Sequence, residues 1–237
     1  MGRKFEVRKA AMQKTMIAKS KVYSKFGKEL YMCAKSGGAN PDSNLALKHL
    51  ISKAKNADVP TDVIKRNIKK AAEGVGEDYV PIRYEGFGPG GTGFIVDTLT
   101  DNVNRTVAEV RNCFTKTGCT LGVNGCVEHG YNHLSFVTIK DMDAEEALET
   151  LLMADLDVND IEEDDDMITV EAEGYDENKI VSALEEAGAT LVESENGWYP
   201  MNHIELSDSE KELLDKLVNM LNDVEDVQEV YHNAKLD

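Results

Sequence analysis

No stretch of eighteen apolar residues occurs in the 237-residue chain, which excludes a transmembrane helix. No apolar segment of signal-peptide length follows the N-terminus, so a cytoplasmic protein is expected, not a secreted one. Cysteines number only four, Cys33, Cys113, Cys119 and Cys126. In a cytosolic chain of this size, reduced thiols are expected in place of a disulfide framework. The signatures G-x-S-x-G, the Walker loop and H-E-x-x-H are missing, and His49, His203 and His232 stand isolated. No catalytic residue, metal ligand or cofactor is therefore assigned, and an enzyme is not expected.

Cations are scarce over most of the chain. Residues 76–237 hold 9 Lys and Arg against 38 Asp and Glu, whereas residues 1–75 hold 17 against 6. The net charge of -18 thus divides into +11 at the front and -29 behind. A sign reversal of this kind points to a basic segment with a polyanionic partner and an acidic body that avoids it. A solvated lysine-rich face is the bland alternative.

Val22, Phe26, Leu30 and Cys33 share one helical face between residues 20 and 35, while Lys21, Lys25, Lys28 and Lys35 fall near the opposite face. Gly37 and Gly38 end that helix. Asn40-Pro41 is expected to open a second, with Leu47, Leu50, Ile51 and Ala54 as its apolar stripe. Val59-Pro60 starts a third, with Ile64, Ile68 and Ala71 inside and Lys65, Arg66, Lys69 and Lys70 outside. A three-helix bundle follows, preceded by a polar, mobile arm carrying Arg3, Lys4, Arg8, Lys9, Lys14 and Lys19. These cations of arm, stripe and third helix are the candidate nucleic-acid-binding residues. Tyr23, Phe26 and Tyr31 could stack on bases, although the spacing of Phe26 fits core packing better. A basic amphipathic helix could also lie on an anionic membrane, but its modest apolar face has two further helices to cover it, and no membrane partner is expected.

Gly88, Gly90 and Gly93 formally match G-x-G-x-x-G, yet the loop precedes the β-rich run 94–99 and opens no helix, so a dinucleotide site is rejected. Gly88, Gly90 and Gly91 remain candidates for a loop whose bare backbone approaches a ligand. Asn102, Asn104 and Arg105 form a second candidate loop, with Asn104 as N-cap and Arg105 as a phosphate contact. Asn124-Gly125 suggests a hairpin over 120–131. Cys126, His129 and His133 have poor zinc spacing, and Asp155, Asp157 and Asn159 only begin an EF-hand pattern before departing from it. From Leu134 the pattern reads strand 134–140, helix, strand 157–162, strand 167–173, helix, strand 190–194, which is the ferredoxin-like β-α-β-β-α-β order. Ser207 to Glu210 is a capping box for a last helix, followed by a strand near 227–232.

The segments Ser20 to Phe26, Ala34-Lys35, Asn44 with Leu47, Val59-Pro60, Arg83 to Gly91, Asp101 to Thr106 and Val227 to Asn233 together resemble the YebC/PmpR family, most closely its YeeN-like branch. The resemblance runs nearly end to end. It implies a multi-domain α and α+β protein: a basic helical domain over 1–76, an α+β domain over 77–133 plus 204–237, and a ferredoxin-like domain, 134–203, inserted in it. It also implies a DNA-binding transcriptional regulator. Relatives, including the mitochondrial translational activator of cytochrome c oxidase subunit I, are described as translation factors. The alternative is therefore a factor that binds ribosomal RNA and relieves stalling at proline-rich sequences. A protein-interaction module acting through the acidic domains is the third reading. A monomer is expected, because nothing suggests paired half-sites. Phe5, Glu6, Val7 and Arg8 depart from the branch's usual Trp-x-Asn-Ile, whereas Arg3 and Lys4 match it.

Overall fold

The computed structural model describes residues 3–164 and 166–235, with side chains from residue 19 onward. Helix α1 spans Arg3–Gly37, so the segment expected as a mobile arm has a helical backbone. Residues 3–26 hold no Gly or Pro and are rich in Ala, Met, Lys and Arg. These are strong helix formers, and propensity carries the helix where no apolar face exists. Among the described residues no helix is long and apolar enough to cross a membrane.

Contacts divide the chain into two units. The first comprises Met1–Ile82, Asp97–Val110 and Asn219–Glu229; the second comprises Arg83–Val96, Arg111–Val218 and Val230–Asp237. In the first, α1 is joined by α2 (Leu45–Asn56) and α3 (Thr61–Ala72). Leu30, Ala34, Leu47, Ala54, Val59 and Ile64 form their common core, with Tyr23, Phe26, Leu50, Ile51 and Ile68 packed around it. Burying each Leu or Ile of this set stabilises the bundle by about 1.5–3 kcal/mol before entropy is counted. Helix α2 starts later than Asn40-Pro41 suggested. Asn44 is its cap: the side chain accepts from Leu47 N at 3.1 Å and donates to Cys33 O and Gly38 O at 3.1 and 2.8 Å. One amide thereby closes α1 and opens α2, and residues 40–43 are left as the turn.

Two antiparallel sheets follow. The first has the order β3-β1-β2-β8, from β1 (Val80–Phe87), β2 (Gly93–Thr100), β3 (Thr120–Leu121) and β8 (Val227–His232). Helix α4 (Val103–Lys116) follows β2, and α7 (Asp208–Asp223) precedes β8. Glu210 reaches back to Ser207 N at 2.9 Å, so the capping box forms. The hairpin expected at Asn124-Gly125 is not there. Thr120 and Leu121 pair with Phe87 and Gly86 of β1 instead. Residues 122–130 wrap the buried Glu85 carboxylate, which accepts from the N–H of Gly125, Val127 and Glu128 at 2.6, 2.7 and 3.0 Å. Three of the loop's donors go to that side chain, and those of Cys126 and Gly130 close turns within the loop, so the segment builds no second strand.

The second sheet runs β5-β6-β4-β7, built from β4 (Tyr131–Lys140), β5 (Asp160–Asp164), β6 (Met167–Glu173) and β7 (Thr190–Pro200). Every pairing in it is antiparallel. With α5 (Ala144–Met153) and α6 (Glu177–Glu186) this is the ferredoxin-like arrangement read from the periodicity. Val137, Ile139, Ile168 and Val170 project from the sheet onto Ala147, Leu151, Ile180 and Leu184. Strand β5 begins three residues later than expected: Asp155 takes φ 58 and Leu156 N closes onto Leu151 O at 3.0 Å, so the residues after the helix are used in the turn.

Candidate nucleic-acid interface

The lysine stripe of α1 turns inward, onto the unit's own oxygens. Lys28 is 8% exposed, and its Nζ donates to Asp226 Oδ1 at 2.7 Å. Lys21 pairs with Asp223, Lys25 donates to Gln228 O at 2.5 Å, and Lys35 pairs with Asp78 while lying over the Tyr31 ring. Lys28 is thus corrected from a phosphate contact to a buried ion-pair partner, and Lys21, Lys25 and Lys35 are engaged within the chain. A helical period reveals which residues share a face. It does not reveal that residues 223–228, some two hundred positions later, return to cover that face.

Asp226 is the centre of this arrangement and is fully buried. Its Oδ2 accepts from Arg105 Nη2 at 2.7 Å, Thr106 Oγ1 at 2.8 Å and Thr100 Oγ1 at 3.1 Å. Burial alone would raise its carboxyl, but the hydrogen bonds from Lys28, Arg105 and Thr106 together outweigh that and bring it down to about 2. Arg105 also donates to Asp101 at 2.6 Å, and its two carboxylate partners raise its own pKa. Arg105, the expected phosphate contact, is exposed, but its guanidinium is already held by two carboxylates. Asn102, not Asn104, caps α4, accepting from Arg105 N at 3.1 Å; Asn104 is exposed. Near Lys25, burial and then repulsion from Glu229 push Glu29 up to about 7, so this flank carries less negative charge at neutral pH than the sequence implies.

The glycine loop belongs to the second unit and serves its packing. Gly90 has φ 63, and a Cβ there would stand 2.4 Å from Leu206 Cδ2; at Gly88 it would stand 2.3 Å from the Phe94 ring. The missing side chains admit the protein's own groups. Cys126, His129 and His133 are not gathered either: His133 stacks on Trp198 with centroids 4.7 Å apart, and the Arg83 guanidinium lies 4.2 Å from the Trp198 ring.

The candidate cations of α3 face outward. Lys65, Arg66, Lys69 and Lys70 are exposed. Lys69 lies 3.6 Å from Glu73, a pair worth little in water, and the other three form no ion pair among the described residues. Lys19 is exposed at the start of the described side chains. The side chains of Arg3, Lys4, Arg8, Lys9 and Lys14 lie outside the described residues. Beside α3 a cleft of 380 Å³ separates it from α1, lined by Tyr23, Lys28, Tyr31, Arg66, Asn67, Lys70 and Tyr79 among others. Phe26 packs against the core, as its spacing suggested, but Tyr23 and Tyr31 reach the cleft. Asp226, Thr100 and Thr106 were missed by the sequence reading. The one signal available was a pair of acids, Glu225 and Asp226, between Val224 and Val227, and it does not say that Asp226 is buried while Glu225 is exposed.

Two family models match the chain. The one for the TACO1/YebC N-terminal domain covers residues 3–74, and the one for the TACO1/YebC second and third domain covers residues 79–234. A probable transcriptional regulatory protein of Alteromonas mediterranea is 51% identical over 236 residues, covering 99% of this chain and 98% of the relative. A protein of the same description from Vibrio cholerae serotype O1 is 52% identical over 239 residues, covering 100% of both. The crystal structure of a conserved hypothetical protein from Aquifex aeolicus is similar with a TM-score of 0.70 at 30% identity, covering 91% of this chain and 90% of that one.

Proposed function

Because this chain belongs to the TACO1/YebC family, we propose that it regulates gene expression as a DNA-binding transcriptional regulator that grips the phosphate backbone through α3. The carrying observation is that Lys65, Arg66 and Lys70 stand exposed and unpaired among the described residues, while Lys28 of α1 is buried on Asp226 and Lys21, Lys25 and Lys35 are each engaged within the chain. The names borne by the relatives from Alteromonas and Vibrio point the same way. In this reading residues 1–76 bind. The acidic remainder, 77–133 with 204–237 and the inserted 134–203, repels the polymer and so limits the footprint. Arg3, Lys4, Arg8, Lys9 and Lys14 add five cations of the same sign in sequence. The protein works in the cytoplasm by binding, without turnover.

The test is the variant Lys65→Glu/Arg66→Glu/Lys70→Glu in a DNA retention assay across a salt series, alongside cosedimentation with ribosomes. Each phosphate contact contributes about 0.9 to the slope of log affinity on log salt, so losing three should flatten it by about 2–3. An unchanged slope in a folded variant refutes the α3 interface. Retention by ribosomes alone would move the function to translation.

A further inference from the structure

We propose that the cleft between α1 and α3 receives an unpaired nucleobase, so that the basic unit engages single-stranded nucleic acid in preference to a closed duplex. This rests on the nucleic-acid reading above and adds which form of the polymer is held. The cleft, at 380 Å³, is within the roughly 300–1,000 Å³ typical of small-ligand sites. It has room for a nucleotide and none for a duplex. Three tyrosines line it. Tyr31 is 3% exposed, Tyr79 meets it edge-on with centroids 5.9 Å apart, and Tyr23 is half-buried beside them. Every base presents a π-face to such a wall, which makes aromatic stacking the sequence-tolerant way of holding single strands.

The Tyr31 hydroxyl is buried, and the Lys35 ammonium lies beside its ring. Gly27, in the middle of α1, also lines the cleft, and a Cβ there would crowd Asn67 Nδ2 at 3.0 Å. A glycine inside a helix costs stability, and here it keeps α1 and α3 close without filling the space between them. Charge orients the occupant. The exposed cations of the lining, Arg66 and Lys70, both sit on α3, whereas Glu77 and Glu225 lie on other segments. Phosphates therefore run along α3 while the base turns inward.

The test uses the full chain and fluorescence anisotropy with a twelve-nucleotide DNA strand, the RNA strand of the same sequence, and the DNA duplex. Ser24→Phe fills the cleft without altering charge; circular dichroism checks its fold. Single strands should bind more tightly than the duplex, and Ser24→Phe should weaken them about tenfold, the scale of one lost stacking contact, leaving duplex retention unchanged. The DNA and RNA arms identify the sugar. A 2-aminopurine in the strand reports base insertion on the unaltered protein, so the test survives a variant that fails to fold. Duplex binding as tight as single-strand binding, with no 2-aminopurine response, overturns the cleft while leaving the α3 interface standing. No binding to any probe overturns both.

Discussion

Replacing Lys28 by Met tests whether the α1 lysines are structural or ligand-facing. The thioether keeps most of the side chain's length and apolar stem while removing the charge. Lys28 and Asp226 have side chains 8% and 1% exposed, so the substitution leaves a buried carboxylate with one cation fewer. Breaking such a pair from one side costs about 3–5 kcal/mol. Asp226 keeps Arg105, Thr100 and Thr106, which places the expected loss near the lower end, about 3 kcal/mol, or roughly a hundredfold in the folding equilibrium. Lys21→Met is the internal control. Its pair with Asp223 has side chains 39% and 72% exposed, and surface pairs contribute about 0–1 kcal/mol. Urea denaturation should follow helix ellipticity, because the single tryptophan, Trp198, belongs to the second unit and reports elsewhere. Duplex DNA retention should be measured in parallel and should be unchanged in folded Lys28→Met. A loss of stability no larger than that of Lys21→Met would refute the buried network. A stable variant that no longer retained DNA would return Lys28 to the binding surface.

Acid sensitivity supplies a second check. The Asp226 carboxyl falls from an ordinary 3.8 to about 2 in the folded chain. Its contribution of about 2 kcal/mol is therefore complete above pH 4 and lost as pH falls toward 2. Asp226→Asn should lower stability at neutral pH and flatten the denaturation profile between pH 4 and 2, and a profile as steep as that of the unaltered protein would exclude the assignment. Glu85→Gln exchanges one carboxylate oxygen for an amide that faces backbone N–H groups, and an expected loss of about 2–3 kcal/mol should appear in Trp198 fluorescence, since Val127 packs against that ring; an unchanged melt would mean the loop 122–130 holds itself.

The ferredoxin-like part was legible because its signals are local. Alternating Val137 and Ile139, then Ile168 and Val170, declare one sheet face, and Ala147, Leu151, Ile180 and Leu184 declare the helices that cover it. The bundle's apolar stripes were readable for the same reason. Misreadings cluster where a side chain from elsewhere decides the outcome. Asn44 displaced the start of α2 because its amide bridges Cys33 and Gly38. Glu85 took the donors that would have built a hairpin at Asn124-Gly125. The lysine stripe was identified correctly as a face, but its partner Asp226 lies 198 positions away, beyond any window of periodicity. Of the candidate cations, those on α3 kept their solvent-facing place because nothing distant returns to them.

The remoteness of Asp226 from Lys28 also has a temporal side. A ribosome adds about 5–20 residues per second, so the stretch between the two takes on the order of 10–40 s to emerge. Throughout that interval the nascent helix displays an uncovered row of ammonium groups beside abundant polyanions. A segment made some two hundred residues later covers Lys21, Lys25 and Lys28, and the folded chain differs from its precursor chiefly in how much positive charge it leaves on offer.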